Sequence, residues 1–364
     1  MIKQISFWKG KKVFITGHTG FKGSWLCMIL NQLGCSIAGY SLPPEKNSLF
    51  EIVDLKKKIK KNYYSDIRNF KILKKKIELF KPDIIFHLAA QPLVIESYLR
   101  PFETFAINSL GSLNLMEVVK NLKYKGALIV VTTDKVYKKK KNNINKLNEN
   151  DELGVTDPYG SSKVCSEIIT SSYSKSFLST GNYFKVAIAR SGNVIGGGDF
   201  SKNRIIPDFY IAQKLKKKMI IRNPNHVRPW QFVLEPLIGY INLAEKIYLN
   251  KINYKKELAW NFGPSYADCV KVSKLIKILL NKSQNKPKVL IQKEKHTIFS
   301  ETKFLILDSS KSKKFLGWNN IYNVNTTIDK IVEWYESPVH EKSKICNEQI
   351  FEYLTIINNK SYSK

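Results

Sequence analysis

The stretch Lys11-Lys-Val-Phe-Ile-Thr-Gly17-His-Thr-Gly20-Phe-Lys-Gly23 decides the fold of this chain. Its first half, Lys11–Thr16, is rich in β-branched and aromatic residues, which predicts a short strand. Three glycines follow at intervals of three, and an apolar run then extends to Leu33 and predicts a helix. A strand, a glycine-rich turn and a helix in this order are typical of an α/β fold with a parallel sheet.

The alternation of strand and helix continues to Arg190. Further strands are predicted at Ser36–Tyr40, Tyr63–Ser65, Ile84–Leu88, Ala127–Thr132 and Phe184–Arg190, and helices at Asn69–Phe80, Pro101–Leu122 and Tyr159–Phe177. Strands separated by helical patterns at this spacing predict a parallel sheet that is covered on both faces. The predicted fold class is therefore α/β, with a Rossmann-type doubly wound parallel sheet.

The pattern changes after Arg190, where a loop rich in turn residues, Gly192–Asp199, is followed by shorter elements. We therefore predict a dinucleotide-binding domain over residues 1–190, to which segments near 230–260 return. Residues 191–340 are predicted to form mainly a smaller α/β lobe that binds the substrate. Residues 341–364 are polar and predict a tail that is loosely docked or disordered.

Composition limits the classes of protein that the chain can belong to. Its 364 residues are 43% hydrophobic, which is enough for a large core. No run approaches the roughly 20 apolar residues that span a bilayer, and the N-terminus lacks an apolar signal core. The five cysteines are scattered without metal-binding spacing. These features predict a cytoplasmic protein with reduced thiols, no membrane segment and no metal site.

The formal net charge of +30 suggests nucleic-acid binding, but the kind of basic residue argues against it. Only six of the 60 basic residues are arginine, the residue that nucleic-acid surfaces favour for bidentate contacts. The lysines are spread along the whole chain beside many Asn and Ile residues, which indicates a compositional bias. We expect no nucleic-acid partner, although a basic scaffold on nucleic acid or an anionic membrane is an alternative. An acidic small substrate would be attracted by this charge.

The glycine motif predicts a dinucleotide site, because it lets the backbone and a helix N-terminus approach a pyrophosphate. A strand–helix turn that merely needs tight packing is the alternative. The usual acid at the end of the second strand is replaced by Tyr40-Ser41-Leu42, so the residues leave NAD and NADP open. Asp66-Ile67 could bind the adenine ring or simply cap a strand. The predicted cofactor contacts are Gly17, Thr19, Gly20, Phe21, Lys22, Gly23, Asp66, Ile67, Ala89, Ala90, Tyr159 and Lys163.

Two further motifs carry the chemistry. Tyr159 and Lys163 are four residues apart, so a helix places them on one face, where the ammonium would lower the pKa of the phenol and make it a base. Asp134 and Lys135 add an acid and a base that a plain dehydrogenase does not need, which indicates a second chemical step. The alternatives are an amphipathic surface pair for the first motif and a helix cap or surface ion pair for the second.

These motifs, with Arg190-x-Gly-Asn193, resemble the extended short-chain dehydrogenase/reductase superfamily. Within it, later blocks resemble the CDP-glucose 4,6-dehydratase family, and the resemblance runs from about Phe7 to Trp334. The blocks are Tyr40-Ser-Leu-Pro-Pro, Ser48-Leu-Phe-Glu51, Gly192-Asn-Val-Ile-Gly-Gly-Gly-Asp199, Ile206-Pro-Asp208, Arg222-Asn-Pro224, Arg228-Pro-Trp-Gln231, Leu234-Glu-Pro-Leu-Ile-Gly-Tyr240 and Trp260-Asn-Phe-Gly-Pro264. The related dTDP-glucose dehydratases have Glu in place of Lys135.

The resemblance implies an NAD-containing homodimer that converts CDP-D-glucose to CDP-4-keto-6-deoxy-D-glucose and water, supplying deoxysugars for surface polysaccharide such as lipopolysaccharide. It implies that Tyr159 deprotonates the C4 hydroxyl, aided by Lys163 and Thr133. Lys135 would then remove the C5 proton, and Asp134 would protonate the departing C6 hydroxyl.

Substrate contacts also follow from the resemblance, at Gln91, Asn193, Arg204 and Arg228. Arginine suits a pyrophosphate because its fork matches two oxygens, although each of these arginines could instead form an ordinary salt bridge. The alternative functions are a nucleotide-sugar 4-epimerase, which shares Tyr159 and Lys163 but eliminates no water, and a 4,6-dehydratase for another nucleotide-glucose.

Overall fold

Seven parallel strands form the large sheet in the part of the chain that the structure describes, in the order β3-β2-β1-β4-β5-β6-β11. The structure is a computed structural model that describes residues 3–138, 146–178, 183–253, 258–292 and 306–362. The strands are β1 Lys12–Thr16, β2 Ser36–Ser41, β3 Lys61–Tyr64, β4 Ile84–His87, β5 Gly126–Val131, β6 Phe184–Ser191, β7 Val194–Ile195, β8 Met219–Ile221, β9 Val227–Pro229, β10 Gln231–Phe232, β11 Ala259–Phe262, β12 Cys269–Lys271 and β13 Val289–Ile291.

The helices lie mainly on the two faces of this sheet and in the smaller lobe. They are α1 Lys3–Trp8, α2 Phe21–Gln32, α3 Leu49–Ile52, α4 Leu55–Lys58, α5 Phe70–Phe80, α6 Val94–Leu99, α7 Pro101–Phe105, α8 Gly111–Lys120, α9 Pro158–Ser176, α10 Ile205–Lys214, α11 Leu234–Tyr248, α12 Val272–Lys282, α13 Ser310–Leu316, α14 Val324–Glu336 and α15 Lys342–Tyr362. A π-helical turn spans Ala106–Leu110, and short 3-10 turns span Asp134–Val136, Tyr266–Asp268 and Val339–Glu341.

Side chains of successive strand residues enter separate cores on the two faces of the sheet. Val13 and Ile15 belong to a core shared with α2, α11 and α15, whereas Phe14 between them belongs to a core shared with α5 and α8. This alternation follows from the two-residue period of a strand, and it explains why the strands are apolar on both faces. The α/β fold class and the doubly wound parallel sheet predicted from the sequence are confirmed.

The order of the strands reverses between β1 and β4. From β1 the chain runs through α2 to β2 and then to β3, on one side of β1. It then crosses to β4 on the other side of β1 and continues outward to β5 and β6. The loops after β1 and β4 therefore diverge and leave a crevice at the carboxyl ends of the strands. In open α/β sheets, ligands bind at such a point.

A smaller lobe has a core of its own. Its apolar residues come from α10, α12 and α14 and from the short strand pairs β8–β13 and β9–β12. Trp230 is buried in this core, with its indole N–H donating to the Val270 carbonyl. Helix α11 and strand β11 return to the large sheet, where β11 pairs with β6.

The segment predicted as a polar tail needs correction, because residues 342–362 form helix α15. Cys346, Ile350 and Tyr353 of this helix are buried in the larger core. The Tyr353 hydroxyl donates to the buried Glu235 carboxylate at 2.5 Å, and burial raises the pKa of Glu235 to about 7. The apolar residues lie among many polar ones, so overall polarity hid a helix with one buried side.

The sequence pattern also missed a break in the helix predicted over Pro101–Leu122. The structure divides it into α7, the π turn and α8. The π turn lets the Asn108 amide donate to the Ser162 hydroxyl of α9 at 2.8 Å and to the Gln91 carbonyl at 3.1 Å. Such turns are common near functional sites, and this one joins α9 to the loop after β4. Among the described helices, none is long and apolar enough to cross a membrane.

Candidate active site

Two of the three motif glycines are required by the packing of the chain itself. Gly17 has φ +77°, and a Cβ there would lie 2.7 Å from the Ala89 backbone nitrogen. A Cβ on Gly23 would overlap the Gly17 carbonyl oxygen. The tight-packing alternative therefore accounts for both of these glycines.

Gly20 is different, because the chain does not need it to be glycine. Its φ of −76° and ψ of 169° suit any residue, and an added Cβ would meet only the Gly17 oxygen at 3.5 Å. Gly20 precedes α2, whose first N–H groups have no partners within the helix. The open space above Gly20 and the helix N-terminus behind it fit the pyrophosphate of a dinucleotide.

The end of β2 carries hydroxyl groups in place of a carboxylate. The Thr19 hydroxyl lies 2.7 Å from the Ser41 hydroxyl and donates to the Leu42 carbonyl at 3.1 Å. Asp66 is held by Arg68 through two N–H···O contacts of 2.9 and 2.7 Å. Ile67 is buried and faces Gly111, so only its backbone is available to an adenine ring.

Lys22 extends from α2 into the crevice. Its ammonium donates to the Ser191 hydroxyl at 2.9 Å and to the Tyr240 hydroxyl at 3.2 Å. Burial lowers the pKa of Lys22 to about 7, with the charges of Arg204 and Lys163 adding to the effect and Asp134 opposing it. Phe21 packs against the larger core, and Gly196 lies beside its ring. Lys22 therefore places a basic group inside the crevice.

Ala89 and Ala90 follow β4 on the other side of the crevice, and both are half-buried. The Ala89 N–H donates to the Thr16 hydroxyl at 3.2 Å, and that hydroxyl lies 2.7 Å from Nδ1 of His87. Burial lowers the pKa of His87 to about 3, with Lys163 adding to the effect, so this imidazole is neutral. Small side chains at this point leave room along the strand ends.

A short turn after β5 holds the acid and base predicted from the sequence. We call Thr133–Val136 the catalytic turn. Thr133 caps its 3-10 helix by accepting the Lys135 N–H at 3.3 Å, and its hydroxyl donates to Asp134 Oδ1 at 3.0 Å. Asp134 is fully buried, and its Oδ2 finds no hydrogen-bond partner among the described residues. Lys135 is a third exposed and reaches Asp134 Oδ1 at 3.4 Å and Asn193 Oδ1 at 3.3 Å.

Helix α9 presents Tyr159 and Lys163 to the same crevice. The helix begins because Asp157 caps it by accepting the Gly160 N–H at 2.8 Å, and Pro158 occupies its first position. Both Tyr159 and Lys163 are buried, and the Lys163 ammonium donates to the Val131 carbonyl at 3.3 Å. Tyr159 also hydrogen-bonds with Thr133. The structure thus brings the two predicted pairs together around one hydroxyl.

The electrostatics of Tyr159 differ from the sequence prediction. Burial raises the pKa of Tyr159 to about 12, and Asp134 adds to the rise, while the hydrogen bond with Thr133 and the charge of Arg204 oppose it. Burial lowers the pKa of Lys163 to about 8, which the Glu167 carboxylate opposes. The pKa of the phenol is therefore raised where the sequence predicted that Lys163 would lower it, because burial outweighs the groups that favour the phenolate.

The four predicted substrate residues fall into different settings, and Asn193 lies beside Lys135. Arg204 lies at the start of α10 and pairs with Asp199 at 2.8 Å, and its charge favours the ionised form of Tyr159. Arg228 is buried beside the His226 ring, with Nη2 3.0 Å from its Nδ1. Gln91 is turned inward, where its amide donates to Thr104 and to the Leu93 carbonyl. Gln91 thus shapes the loop after β4, and its contact with substrate stays a prediction.

Comparison with known proteins identifies the family. A model of the family described as GDP-mannose 4,6-dehydratase matches residues 14–331. The chain belongs to this family. It is 40% identical, over 96% of its length and 98% of the relative's, to the CDP-glucose 4,6-dehydratase of Salmonella typhimurium. It is 26% identical to the human dTDP-D-glucose 4,6-dehydratase over 91% of each chain. Membership in the nucleotide-sugar 4,6-dehydratases, predicted from the motifs, is confirmed.

Solved structures agree on the fold of this dehydratase family. A dTDP-glucose 4,6-dehydratase of Bacillus anthracis, determined with NAD, superposes with a TM-score of 0.73 at 19% identity and covers 95% of this chain and 100% of its own. A UDP-glucuronic acid 4-epimerase of Bacillus cereus, determined with UDP-glucuronic acid and NAD, gives 0.75 at 20% identity over 89% and 99%. Because dehydratases and epimerases share the fold, the site must distinguish them.

Sequence reasoning missed several polar residues that surround the site of this dehydratase-family member. The hydroxyl groups of Ser191 and Tyr240 accept hydrogen bonds from Lys22. Glu167 of α9 and Arg190 of β6 form a buried ion pair. Arg190 belongs to the Arg190-x-Gly-Asn193 motif, and Glu167 follows Lys163 by four residues, a spacing that places both on one face of a helix. Tyr240 lies far away in sequence, so only the fold reveals its place.

Proposed function

We propose that the protein is a CDP-glucose 4,6-dehydratase that uses NAD. The observation that carries the proposal is the buried Asp134 carboxylate in contact with Lys135, beside Tyr159 and Lys163. A reaction that only oxidises and reduces C4 does not need that second pair. The 40% identity to a curated CDP-glucose 4,6-dehydratase over nearly the whole chain supports the choice of nucleotide.

Oxidation of C4 is assigned to α9. Gly20, the N-terminus of α2 and the small residues after β4 would hold NAD, which supplies the acceptor and later the donor of a hydride when bound. Tyr159 takes the proton of the C4 hydroxyl, and the hydrogen bond with Thr133 orients the phenol. The hydrogen bond with Thr133 and the charge of Arg204 favour the phenolate that this step requires, against the effect of burial.

Water loss is assigned to the catalytic turn. A proton that moves from Lys135 Nζ to Asp134 Oδ1, 3.4 Å away, turns an ammonium and a carboxylate into an amine and a carboxylic acid. The amine can then remove the C5 proton, which the new C4 ketone has made acidic, while the acid protonates the leaving C6 hydroxyl. Lys135 returns its proton to C5 when the hydride enters C6.

Thr133 closes the proton balance. Its hydroxyl bonds to Asp134 Oδ1 at 3.0 Å and also to Tyr159. The proton that Tyr159 takes from the C4 hydroxyl can therefore pass to Asp134 and replace the proton that left with water. The two protons released from C4–OH and C5 then equal the two consumed in water and at C5.

The charge of the crevice suits a nucleoside diphosphate. The charge of Arg204 acts on Lys22, and the planar guanidinium of Arg204 can offer two N–H groups to a phosphate. Arg228 belongs to strand β9, which pairs with β12 in the smaller lobe. These positions support the proposal that Arg204 and Arg228 bind the diphosphate and that Asn193, beside Lys135, binds the sugar.

A product assay tests the proposal. Purified protein is incubated with NAD and CDP-glucose, and the products are separated and identified by mass and NMR. We expect CDP-4-keto-6-deoxyglucose, 18 mass units lighter than the substrate through loss of water. A C4 epimer of unchanged mass would establish the epimerase alternative instead. Parallel reactions with dTDP-, UDP- and GDP-glucose at equal concentration would contradict the CDP assignment if one of them turned over faster.

Cofactor binding can be tested apart from activity, because two glycines of one motif differ in what surrounds them. Gly20→Ala adds a methyl to open space, so we expect an unchanged unfolding temperature and NAD binding weakened about tenfold or more by the lost approach of the pyrophosphate. Gly23→Ala overlaps the Gly17 oxygen and should lower the unfolding temperature by roughly 5 °C or more. Calorimetric titration and thermal melts measure both. Wild-type NAD affinity in Gly20→Ala would remove Gly20 from the cofactor site.

An apolar face on the helices that follow β4 supports a homodimer as part of the proposal. Leu99 of α6, Phe102 of α7, Leu110 of the π turn and Ile168 of α9 are all more than half exposed, and Phe102 reaches 82%. Exposed large apolar residues grouped on neighbouring helices mark interaction surfaces more often than free surface. A cytoplasmic location and a role in supplying deoxysugars for surface polysaccharide complete the proposal.

A further inference from the structure

The catalytic turn is anchored at both of its ends. Before it, the Thr132 hydroxyl donates to Glu167 Oε1 at 2.6 Å. After it, the Tyr137 hydroxyl accepts from Arg190 Nη1 at 2.8 Å and donates to Asn261 Oδ1 at 2.7 Å. Thr132 and Tyr137 are both buried, so water cannot replace these bonds.

Both anchors end on one ion pair. Arg190 donates to Glu167 through Nε at 2.9 Å and through Nη2 at 2.5 Å, and the two side chains are only 4% and 2% exposed. Paired N–H···O bonds between a guanidinium and a carboxylate in a dry site fix both distance and orientation. The ends of the catalytic turn are therefore held at a fixed separation from each other and from α9.

We propose that the Glu167–Arg190 pair, acting through Thr132 and Tyr137, positions the catalytic turn so that Asp134 and Lys135 face C5 and C6 of the sugar. The inference rests on the proposed function and extends it to residues that touch neither substrate nor cofactor. Glu167, Arg190, Thr132 and Tyr137 are positioning residues in this scheme, and their removal acts on water loss through the geometry of the turn.

Two observations favour positioning over a purely structural role. The turn is a single 3-10 turn over Asp134–Val136, and its side-chain cap contact from the Lys135 N–H to Thr133 is 3.3 Å long. Glu167 also lies one helical turn beyond Lys163 on α9 and opposes the lowering of the pKa of Lys163 by burial. The Glu167 carboxylate therefore acts on Lys163, which serves the oxidation, and on Thr132, which precedes the turn that serves water loss. A buried ion pair is in itself weak evidence for stability, because apolar replacements of similar size are often as stable.

Single-atom changes at the anchors test the inference. Thr132→Val keeps the shape but removes the hydroxyl, Thr132→Ser keeps the hydroxyl, and Tyr137→Phe removes only the phenol oxygen. We expect Thr132→Val and Tyr137→Phe to lower kcat for CDP-glucose about tenfold or more with KM within about twofold, since misplacement of reacting groups lowers rate more than binding. Thr132→Ser should recover most of the rate. Tyr173→Phe is the control, because Tyr173 of α9 donates to Glu117 at 2.9 Å away from the turn.

Amide hydrogen exchange of a peptide covering residues 132–137 gives a second readout that needs no substrate. Exchange should be faster in Thr132→Val and Tyr137→Phe and unchanged in Thr132→Ser and Tyr173→Phe. Wild-type kcat together with wild-type exchange in the first two variants would overturn the inference, as would lost rate in Tyr173→Phe of equal size. An inactive wild type with the expected exchange pattern would reject the proposed function and leave the anchoring in place.

Discussion

Tyr159→Phe is expected to lower turnover of CDP-glucose by about a thousandfold or more while the protein stays folded and binds NAD. Loss of a positioned general base typically costs a factor of about 10² to 10⁴ in rate. The change removes one oxygen from a buried ring and takes away the hydrogen bond with Thr133. Because water loss requires the C4 ketone that the oxidation forms, the second step cannot proceed when the first is lost.

The measurement is steady-state product formation, with NAD affinity and the unfolding temperature determined on the same samples. Tyr124→Phe is a matched control, since Tyr124 is also a tyrosine with a buried hydroxyl but packs on Phe184 at 5.6 Å, beside the starts of β5 and β6. We expect wild-type turnover in the control. Turnover within threefold of wild type in Tyr159→Phe would exclude the phenol as the base and contradict the assignment of C4 oxidation to α9.

Lys135→Met is expected to separate the two chemical steps. The variant should still oxidise C4, since Tyr159, Lys163 and Thr133 are unchanged, so reduced nicotinamide should accumulate on the enzyme when substrate is added. Removal of the C5 proton has lost its base, and release of the 6-deoxy product should fall by about 10² to 10⁴. A thioether of similar length keeps most of the packing of the lysine stem.

Stopped-flow absorbance of reduced nicotinamide and mass analysis of the quenched products report the two steps in one experiment. Lys138→Met provides the control, because Lys138 follows the catalytic turn but is exposed and pairs with Glu152 at 2.7 Å. Two outcomes would contradict the mechanism: normal product release in Lys135→Met, or failure of that variant to reduce NAD at all. The second would mean that Lys135 acts in oxidation and not in elimination.

The fold was predictable because its signals are local. Strand β1 and the start of α2 follow from apolar and β-branched residues on either side of Gly17 and Gly23. The packing role of Gly23 also depends on a near neighbour, Gly17, whereas that of Gly17 depends on the distant Ala89 backbone. The catalytic pairs were also predictable, since helix geometry relates Tyr159 to Lys163 and adjacency relates Asp134 to Lys135. The position of these two pairs around Thr133 depends on the order of the strands in the sheet. The spacing of the elements along the sequence predicts a parallel sheet but does not give that order.

Features that depend on distant residues or on burial could not be obtained from the sequence. The sign of the pKa shift of Tyr159 depends on how much water the crevice excludes, and no spacing rule gives that. Gln91 has a side chain that suits a sugar, yet the π turn after α7 draws the loop into contacts with Thr104 and Asn108. The role of Arg190 depends on Tyr137 and Glu167, which only the folded sheet brings within reach.

The docking of α15 has a consequence for the order in which the protein is made. Ile350 and Tyr353 complete a core that also contains Trp25 of α2, more than 300 residues earlier. Chains emerge from the ribosome from the N-terminus at roughly 5–20 residues per second, and domains usually fold as units when complete. Strands β1–β6 are synthesised long before residues 345–354, so the face that those residues cover stays exposed in the nascent chain. We expect the nascent chain to depend on chaperones most strongly while this face of the sheet is exposed, until α15 packs on it.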